Sequence, residues 1–360
     1  MKILFALPGL HRIDRGAEIA FISVARELAK SGDMVTLIGS GQERSGEPYQ
    51  FIHAGSISRD HFGSLPSVPL LRNDYAYEEM TFIPDLLRKY RPADYEVTLT
   101  CSYPFTNWAL RRPALGRRRP AHVFVTENGD WPAYCNQSEY RFFGCEGLIC
   151  TNPDFYERNR RRWVCQLIPN GVDCERFKPG PNQRELFGLP ADKLIVLMVS
   201  ALISSKRVDA GIEAVRQIPD AHLVVAGNGP LRPSIESMAA SALPGRFTCF
   251  SVPADQMPML YQSADVFLHL SREEAFGNVF LEAMACGLPI VAPDTARVRW
   301  IVGNDQFLLD KDDPSSTAAA VMAASAAPLY KRHDNISKAA SFSWPRIARL
   351  YRDFLHGLAG

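Results

Sequence analysis

The feature that most constrains this chain is an arrangement that occurs twice: a buried strand, a glycine-containing loop, an amphipathic helix and another buried strand. The first copy runs from KILFAL (2–7) through a loop with Gly16 and the segment AEIAFISVARELAKSG to MVTLIG (34–39). Apolar residues recur in that segment at the spacing of one helix face. Because parallel strands need such a crossover between them, the arrangement predicts a parallel sheet covered by helices.

The arrangement starts again in the second half of the chain. Strands are predicted there at LIVLMVSAL (194–202), HLVVAG (222–227), DVFLHLS (265–271) and LPIVAP (288–293). Pro and Gly cluster in LIPNGVDCERFKPG (167–180), which indicates a linker. We therefore predict an α/β protein of two doubly wound Rossmann-like domains, 1–168 and 169–343, with a closing helix (344–360) that joins the first domain. Ligands of such sheets bind beyond the carboxyl ends of the strands.

Composition limits the possible functions. The formal net charge is +1, which gives no case for nucleic acid as a partner. The longest apolar run, LIVLMVSALI (194–203), has about half the ~20 residues that a membrane-spanning helix needs. The eight cysteines form no C-x-x-C pair and no spacing that suits zinc. We therefore expect buried free thiols and a cytoplasmic protein, at most peripheral to a membrane.

The segment FGNVFLEAMACG (276–287) predicts a short helix whose first turn can face a ligand. Its apolar residues are spaced for a buried face, and Gly287 is a helix-ending residue. Amides in the first turn have no partner within a helix, and together with the helix dipole they bind anions. Here those amides belong to Gly277, Asn278 and Val279.

Two carboxylates flank this anion site. Glu274 lies just before it, and Glu282 lies about one turn inside the helix, roughly 6 Å further along its axis. A diphosphate between two hydroxyl-bearing sugars fits this arrangement, and a nucleotide sugar is such a molecule. The alternative is a solvated loop residue and a polar helix face. The apolar neighbours of Glu282 argue against that alternative, because burying an unpartnered carboxylate costs several kcal/mol.

Several motifs together resemble one enzyme family. EEAFGNVFLEAMACGLPIVA resembles the Glu-seven-residues-Glu signature of the family-four retaining glycosyltransferases, whose GT-B fold has two Rossmann-like domains facing across a cleft. The resemblance covers nearly the whole chain, and its other motifs are RGAE (15–18), IPNGVDCERFKP, SALISSKRVD, VVAGNGPLRP and the closing W-P helix. It implies transfer of a hexose from a nucleotide sugar, UDP-glucose by default, to an acceptor hydroxyl. Retention at the anomeric carbon without a metal or other cofactor is also implied.

The resemblance implies roles for individual residues. Glu274 would contact the donor sugar, Glu282 would bind the ribose hydroxyls, and Lys206 would neutralise the diphosphate. Gly16 would bring a backbone amide to the same phosphate from the first domain. The expected donor-binding residues are Gly16, Lys206, Arg207, Glu274, Phe276, Gly277, Asn278, Val279 and Glu282.

The chain departs from the family pattern at three places. One is the first glycine loop, which has a single glycine, preceded by Arg15, where many relatives have two. Ala201 stands where the family usually has an arginine, so a second cation is absent or comes from Arg207, Arg272 or Arg299. Arg207 could equally be a solvated residue at a helix start.

Glu127 stands where relatives often have a histidine. Together with Glu274 and Lys206 it is a candidate catalytic residue. It could bind a sugar hydroxyl or assist the acceptor hydroxyl, or it could cap the following turn.

Other polar features receive structural interpretations. His11 and His269 could line the cleft, although lone histidines are more often structural. Asp310-Lys311-Asp312 reads as a surface loop rather than a metal site. The arginine groups at 111–120 and 158–163 are either solvated faces or contacts for an anionic membrane or a phosphate-bearing lipid-linked acceptor.

Two other functions remain open at this stage. A nucleotide-sugar 2-epimerase has a similar architecture but needs no acceptor. An inactive nucleotide-sugar-binding protein would explain Ala201 and the missing histidine. The sequence favours the glycosyltransferase, with a saccharide or lipid-linked acceptor in polysaccharide, lipopolysaccharide or glycolipid synthesis. An NAD dehydrogenase is disfavoured, because no G-x-G-x-x-G follows the first strand of either domain.

Overall fold

The computed structural model describes residues 1–113, 119–272, 274–311 and 313–359. The chain divides into two compact units: Met1–Asn170 with Trp344–Gly360, and Gly171–Ser343. The first crossing from unit to unit follows Asn170 and lies inside the segment for which the sequence indicates a linker. The two crossing points are adjacent within the second unit, where the Val172 amide donates to the Phe342 carbonyl at 2.9 Å.

The first unit is built on a parallel sheet. Its strands in the described part of the chain are β1 (Lys2–Ala6), β2 (Met34–Gly39), β3 (Gln50–His53), β4 (Val97–Thr100), β5 (Ala121–Val125), β6 (Gly147–Cys150) and β7 (Cys165–Leu167). They pair in parallel in the order β3-β2-β1-β4-β5-β6-β7. The helices between them are α1 (Gly16–Lys30), α2 (Asp74–Lys89), α3 (Phe105–Leu110), α4 (Trp131–Tyr134) and α5 (Pro153–Asn159). The strand order reverses between β1 and β4, which makes that point a topological switch point.

The second unit repeats this architecture. Its described strands are β8 (Leu194–Val199), β9 (Ala221–Ala226), β10 (Phe247–Phe250), β11 (Val266–Leu268), β12 (Ile290–Pro293) and β13 (Phe307–Leu309). Their order is β10-β9-β8-β11-β12-β13, and all pairs are parallel. Its helices are α6 (Val208–Arg216), α7 (Arg232–Ala242), α8 (Met257–Gln262), α9 (Asn278–Ala285), α10 (Ala296–Val302), α11 (Pro314–Ser325) and α12 (Leu329–Ala340). Here the switch point lies between β8 and β11.

The last helix returns the chain to the first unit. This helix, α13 (Trp344–Ala359), packs against α1. Trp344, Ile347, Tyr351 and Leu355 are buried in the same apolar cluster as β1 and α1. Their spacing of three to four residues places them on one face of the helix. The sequence predicts such a face from Trp344, Ile347, Tyr351 and Phe354, and Phe354 is only partly buried.

The predicted fold class is confirmed, because both units are parallel, doubly wound α/β structures. Several of the predicted strands are too long at their carboxyl ends. For example, the predicted strand 265–271 is observed only as β11, and Ser271 lies beyond its end. The chain leaves the sheet at the end of β11, because the residues that follow form the loops at the carboxyl edge of the sheet. The segment 41–80, which the sequence leaves unassigned, contains the short strand β3 and the start of α2.

Candidate active site

The helix predicted at the Glu-pair motif is present as α9, and Gly277 immediately precedes it. Gly277 has φ +92°, and a Cβ there would lie 2.9 Å from the Phe280 ring, so only glycine fits this turn without strain. The Phe276 side chain is buried at 3% exposure and packs edge-on against Trp300. Phe276 can therefore offer only its backbone to a ligand. Gly277, Asn278 and Val279 form the first turn, where helix amides face an anion.

Three side chains converge just before this turn. Glu274 forms an ion pair with Lys206, and His269 Nε2 lies 3.0 Å from the same oxygen, Glu274 Oε1. The Lys206 and Glu274 side chains are each 18% exposed, so a ligand could reach both. Burial alone would raise the pKa of Glu274, but the hydrogen bond from His269 and the charge of Lys206 outweigh it and lower the pKa to about 2. Glu274 is therefore ionised at neutral pH.

Sheet order explains why these residues meet although they are far apart in sequence. Lys206 follows β8, and His269 and Glu274 follow β11. β8 and β11 are neighbours on the two sides of the switch point in the second unit. Loops at the carboxyl ends of such strands form the usual ligand site of an open parallel sheet.

Glu282 lies on α9 with one defined partner. The Tyr261 hydroxyl donates to Glu282 Oε2 at 2.8 Å. Burial raises the pKa of Glu282, and the Tyr261 hydrogen bond offsets part of that rise. The carboxylate of Glu282 is thus held in one orientation by a fully buried tyrosine, which the sequence did not identify as a partner.

One cation near Glu274 is not among those that the sequence suggests. Arg299 forms an ion pair with Asp294. Arg207 lies immediately before α6 in a left-handed conformation, and Arg272 is exposed in the loop after β11. Arg297, which the sequence analysis did not single out, donates to the backbone carbonyl of Glu274. It follows β12, the neighbour of β11, so the sheet order would have pointed to it.

Glu127 lies in the first unit, directly after β5. Asn170 Nδ2 donates to Glu127 Oε2 at 2.9 Å, whereas Oε1 is shielded from solvent and has no hydrogen-bond partner among the described residues. Burial raises the pKa of Glu127 to about 7, and the Asn170 hydrogen bond only partly offsets that effect. Gly16 lies in the same unit as the exposed first residue of α1.

The two histidines have different surroundings. His11 Nδ1 contacts the Gln42 carbonyl at 2.9 Å, His11 Nε2 contacts the Tyr49 hydroxyl at 2.8 Å, and the ring stacks on Phe51. With both nitrogens engaged inside the first unit, His11 has a structural role. His269 instead contacts Glu274, a predicted donor-binding residue.

Other predicted features are placed as follows. All eight cysteines are free thiols. Several arginines of the two basic groups are engaged within the first unit, including Arg119 with Glu146 and Arg158 with Asp130. Residues 114–118 and Asp312 lie outside the described residues. Within the described ranges, we find no group of three or more His, Cys, Asp or Glu side chains that could hold a metal ion. The described helices include none that is both long and apolar enough to cross a bilayer.

Comparison with known proteins identifies the family to which this chain belongs. The model of the family described as "Glycosyltransferase Family 4" matches residues 15–176, and that described as "Glycosyl transferases group 1" matches residues 181–341. The fold is similar to that of sucrose-phosphate synthase from Thermosynechococcus elongatus, with a TM-score of 0.78, 22% identity and 99% of both chains covered. This chain therefore has the GT-B type of fold and belongs to the family-four glycosyltransferases.

Two curated relatives are similar to this chain in sequence. One is the GDP-mannose-dependent alpha-(1-6)-phosphatidylinositol monomannoside mannosyltransferase of Mycolicibacterium smegmatis, 35% identical over 51% of this chain and 54% of the relative. The other is the lipopolysaccharide core biosynthesis glycosyltransferase LpsE of Rhizobium meliloti, 26% identical over 86% of this chain and 85% of the relative. The chain spans about half the length of the first curated relatives that it matches.

Proposed function

We propose that this chain is a retaining glycosyltransferase that moves a hexose from a nucleoside diphosphate hexose to an acceptor hydroxyl. The bond between the anomeric carbon and the diphosphate breaks, and a bond from that carbon to the acceptor oxygen forms. The acceptor proton leaves with the nucleoside diphosphate. The single observation that carries the proposal is the convergence of Lys206, Glu274 and His269 at the first turn of α9.

Each group in this cluster has a task in the proposed reaction. The amides at Gly277–Val279 and the ammonium of Lys206 would hold the diphosphate and stabilise its charge as it departs. Glu274, ionised between two donors, would accept hydrogen bonds from hexose hydroxyls. Glu282, oriented by Tyr261, would accept them from the ribose. Glu274 forms an ion pair with Lys206, and the diphosphate would compete with Glu274 for that lysine.

The donor and the acceptor are narrower proposals. UDP-glucose is the donor expected from the family resemblance, and GDP-mannose is its competitor because that donor appears in the name of the mycolicibacterial relative. The acceptor is a saccharide or a lipid-linked saccharide, and the similarity to LpsE favours lipopolysaccharide or related glycan synthesis. Gly16 as a phosphate contact and peripheral attachment to an anionic membrane stay predictions.

A calorimetric panel tests the proposal. UDP, GDP, UDP-glucose and GDP-mannose are titrated into the wild type and into Glu282→Ala. We expect one nucleotide to bind tightly to the wild type and weakly to the variant. Conversion of the bound donor to an epimer without any acceptor, followed by NMR, would identify a 2-epimerase instead. Absence of binding by all four compounds would favour an inactive protein.

We also propose that transfer needs no metal, because helix amides and Lys206 are placed to do the work of a cation at the diphosphate. Activity with the identified donor should then be the same with and without EDTA. Loss of activity in EDTA that magnesium or manganese restores would contradict this part of the proposal while leaving the donor assignment intact.

A further inference from the structure

Arg297 contacts the proposed donor site, although it lies outside the motifs that carry the family resemblance. Its Nη1 donates to the backbone carbonyl of Glu274. Arg297 is the second residue of α10, the helix that follows β12. The Thr295 hydroxyl accepts from the Val298 amide at 3.2 Å and so caps the start of this helix. Arg297 therefore reaches Glu274 from a helix turn whose geometry is fixed.

The segment that Arg297 contacts, residues 269–277, joins β11 to α9 and is neither helix nor strand in its described part. Such a segment lacks the repeating backbone hydrogen bonds of regular structure, so contacts with side chains determine its conformation. Near its end the Phe276 ring is buried, edge-on to Trp300 and beside Phe342. Because Trp300 and Arg297 belong to the same helix, α10 contacts the segment both at a ring and at a backbone carbonyl.

Glu274 is held by different groups at its side chain and at its backbone. The carboxylate contacts Lys206 and His269, whereas the carbonyl oxygen accepts from Arg297. A Cβ on Gly277 would lie 3.8 Å from Glu274 Cγ, so the Glu274 side chain lies beside the first turn of α9. The bond from Arg297 fixes the peptide group that follows Glu274, and with it the backbone from which this side chain extends.

Donor binding would make the backbone contact more important. In the proposed reaction the diphosphate competes with Glu274 for Lys206, so the carboxylate loses that partner when the donor is bound. His269 then remains at the side chain and Arg297 at the backbone. A guanidinium is a suitable group for this task, because it is planar and carries five N–H donors. Its bond to the carbonyl also leaves the carboxylate oxygens of Glu274 available to hexose hydroxyls.

We propose that Arg297 is a positioning residue of the donor site, whose hydrogen bond to the Glu274 carbonyl holds the Glu274 carboxylate where the hexose of the donor meets it. This inference rests on the proposed function. The nucleoside diphosphate has separate proposed contacts at Lys206, Glu282 and the amides of α9. Since α9 is held by its own buried face, these contacts do not depend on Arg297. Arg297 therefore acts on recognition of the hexose and not of the nucleotide.

Calorimetry with a nucleotide sugar and its free nucleotide tests this inference without turnover. UDP-glucose and UDP, or GDP-mannose and GDP, whichever pair binds the wild type, are titrated into Arg297→Ala. We expect the nucleotide sugar to bind about tenfold more weakly, because the hexose loses a well-placed charged acceptor. The free nucleotide should bind within about twofold of the wild type. An equal loss for both ligands would indicate a diphosphate contact or a damaged fold and would overturn the inference.

A double-mutant cycle shows whether Arg297 acts through Glu274. Glu274→Ala removes the carboxylate but keeps the carbonyl that accepts from Arg297. If Arg297 acts only by placing that carboxylate, the two substitutions are not additive. Arg297→Ala should then change nucleotide-sugar binding by less than about twofold in the Glu274→Ala background. The full tenfold loss in both backgrounds would overturn the inference.

Arg299→Ala is the matched control. Arg299 lies on the same helix, has the same side chain and forms its ion pair with Asp294. The nucleotide sugar and the free nucleotide should both bind to this variant as they bind to the wild type. A loss of nucleotide-sugar binding as large as that of Arg297→Ala would show a general effect of changing α10 and would overturn the inference.

Hydrogen–deuterium exchange of residues 271–277 tests the contact itself in protein without added nucleotide. Loss of the Arg297 hydrogen bond should speed exchange in this segment relative to both the wild type and Arg299→Ala. Exchange that is the same in all three proteins would overturn the inference.

The failure of this inference is distinguishable from the failure of the proposed function. If none of the four nucleotide ligands binds the wild type, the proposed function is refuted and the inference falls with it. If one pair binds the wild type and Arg297→Ala keeps the full affinity for the nucleotide sugar, only the inference is overturned and the donor assignment stands.

Discussion

The two units have the same architecture, and each has a glutamate at the carboxyl edge of its sheet. The pKa of one glutamate is lowered, whereas the pKa of the other is raised. Glu274 in the second unit has a pKa lowered to about 2, because His269 and Lys206 outweigh the effect of burial. Glu127 in the first unit has a pKa raised to about 7 by burial, and the Asn170 amide, its one hydrogen-bond partner among the described residues, offsets only part of that rise. Neighbouring residues, not the fold, determine the charge of each carboxyl group.

The difference suits Glu274 to its task in the proposed reaction. A permanently ionised carboxylate such as Glu274 can accept hydrogen bonds from sugar hydroxyls while a cation beside it meets a diphosphate. Glu127, whose pKa lies near neutral pH, has no step in the proposed reaction and serves as the contrast. The variants below test the contrast, starting with the largest expected effect.

Lys206→Ala should reduce kcat most. It removes the cation that balances Glu274 and would meet the leaving diphosphate, and loss of such a group costs about 10²–10³ in rate. Thermal unfolding should change little by comparison. Lys193→Ala is the control, because the Lys193 side chain pairs with Asp220 at the surface. A near-normal rate in Lys206→Ala would transfer the cationic role to a neighbour such as Arg297.

Glu282→Ala should weaken nucleoside diphosphate binding by roughly tenfold to a hundredfold, the loss of about 1.5–3 kcal/mol for hydrogen bonds to a charged group. Calorimetry measures the effect. Glu236→Ala, which removes an exposed glutamate paired with Arg232, serves as the control. Unchanged affinity for the nucleotide would rule out Glu282 as the ribose contact.

His269→Ala should raise the pKa of Glu274 and so bring it closer to that of Glu127. The variant removes the hydrogen bond that contributes most to lowering the pKa of Glu274, so that pKa should rise towards its ordinary value. Activity should then fall by about tenfold and be lost first on the acid side, since the protonated carboxyl no longer accepts from the sugar. The pH dependence of kcat measures this. If His269→Gln, which keeps an N–H donor, has the same altered profile, His269 is not acting through this hydrogen bond.

Glu127→Gln should have the smallest effect, and mainly on stability. The folded state holds the Glu127 proton up to about pH 7, whereas the unfolded state releases it near its ordinary value of 4.5. Its contribution to stability is therefore lost as pH rises between these values. Urea unfolding at pH 5 and pH 8 should show a smaller difference in the variant than in the wild type. Glu157→Gln, on an exposed helix, is the control. An unchanged difference would mean that Glu127 is not protonated in the folded protein.

Local patterns in the sequence predict the sheets, the site helix and two of its key residues. Buried strands and helical periodicity identify both units, and the Glu-pair motif identifies Glu274, Glu282 and the α9 turn. The sequence did not identify Tyr261, Arg297 or the role of His269. Tyr261 and Glu282 are 21 residues apart, and Arg297 and Glu274 are 23 apart. Such contacts follow from the order of strands in the sheet, which local periodicity does not contain.

The return of α13 to the first unit has a consequence for synthesis on the ribosome. Gly171–Ser343 have all emerged before α13, so the second unit can fold while the first is still incomplete. Until the last helix arrives, the nascent first unit lacks Trp344, Ile347, Tyr351 and Leu355 and exposes the apolar face of α1 that they cover. During translation this surface is a target for chaperones and a risk for aggregation.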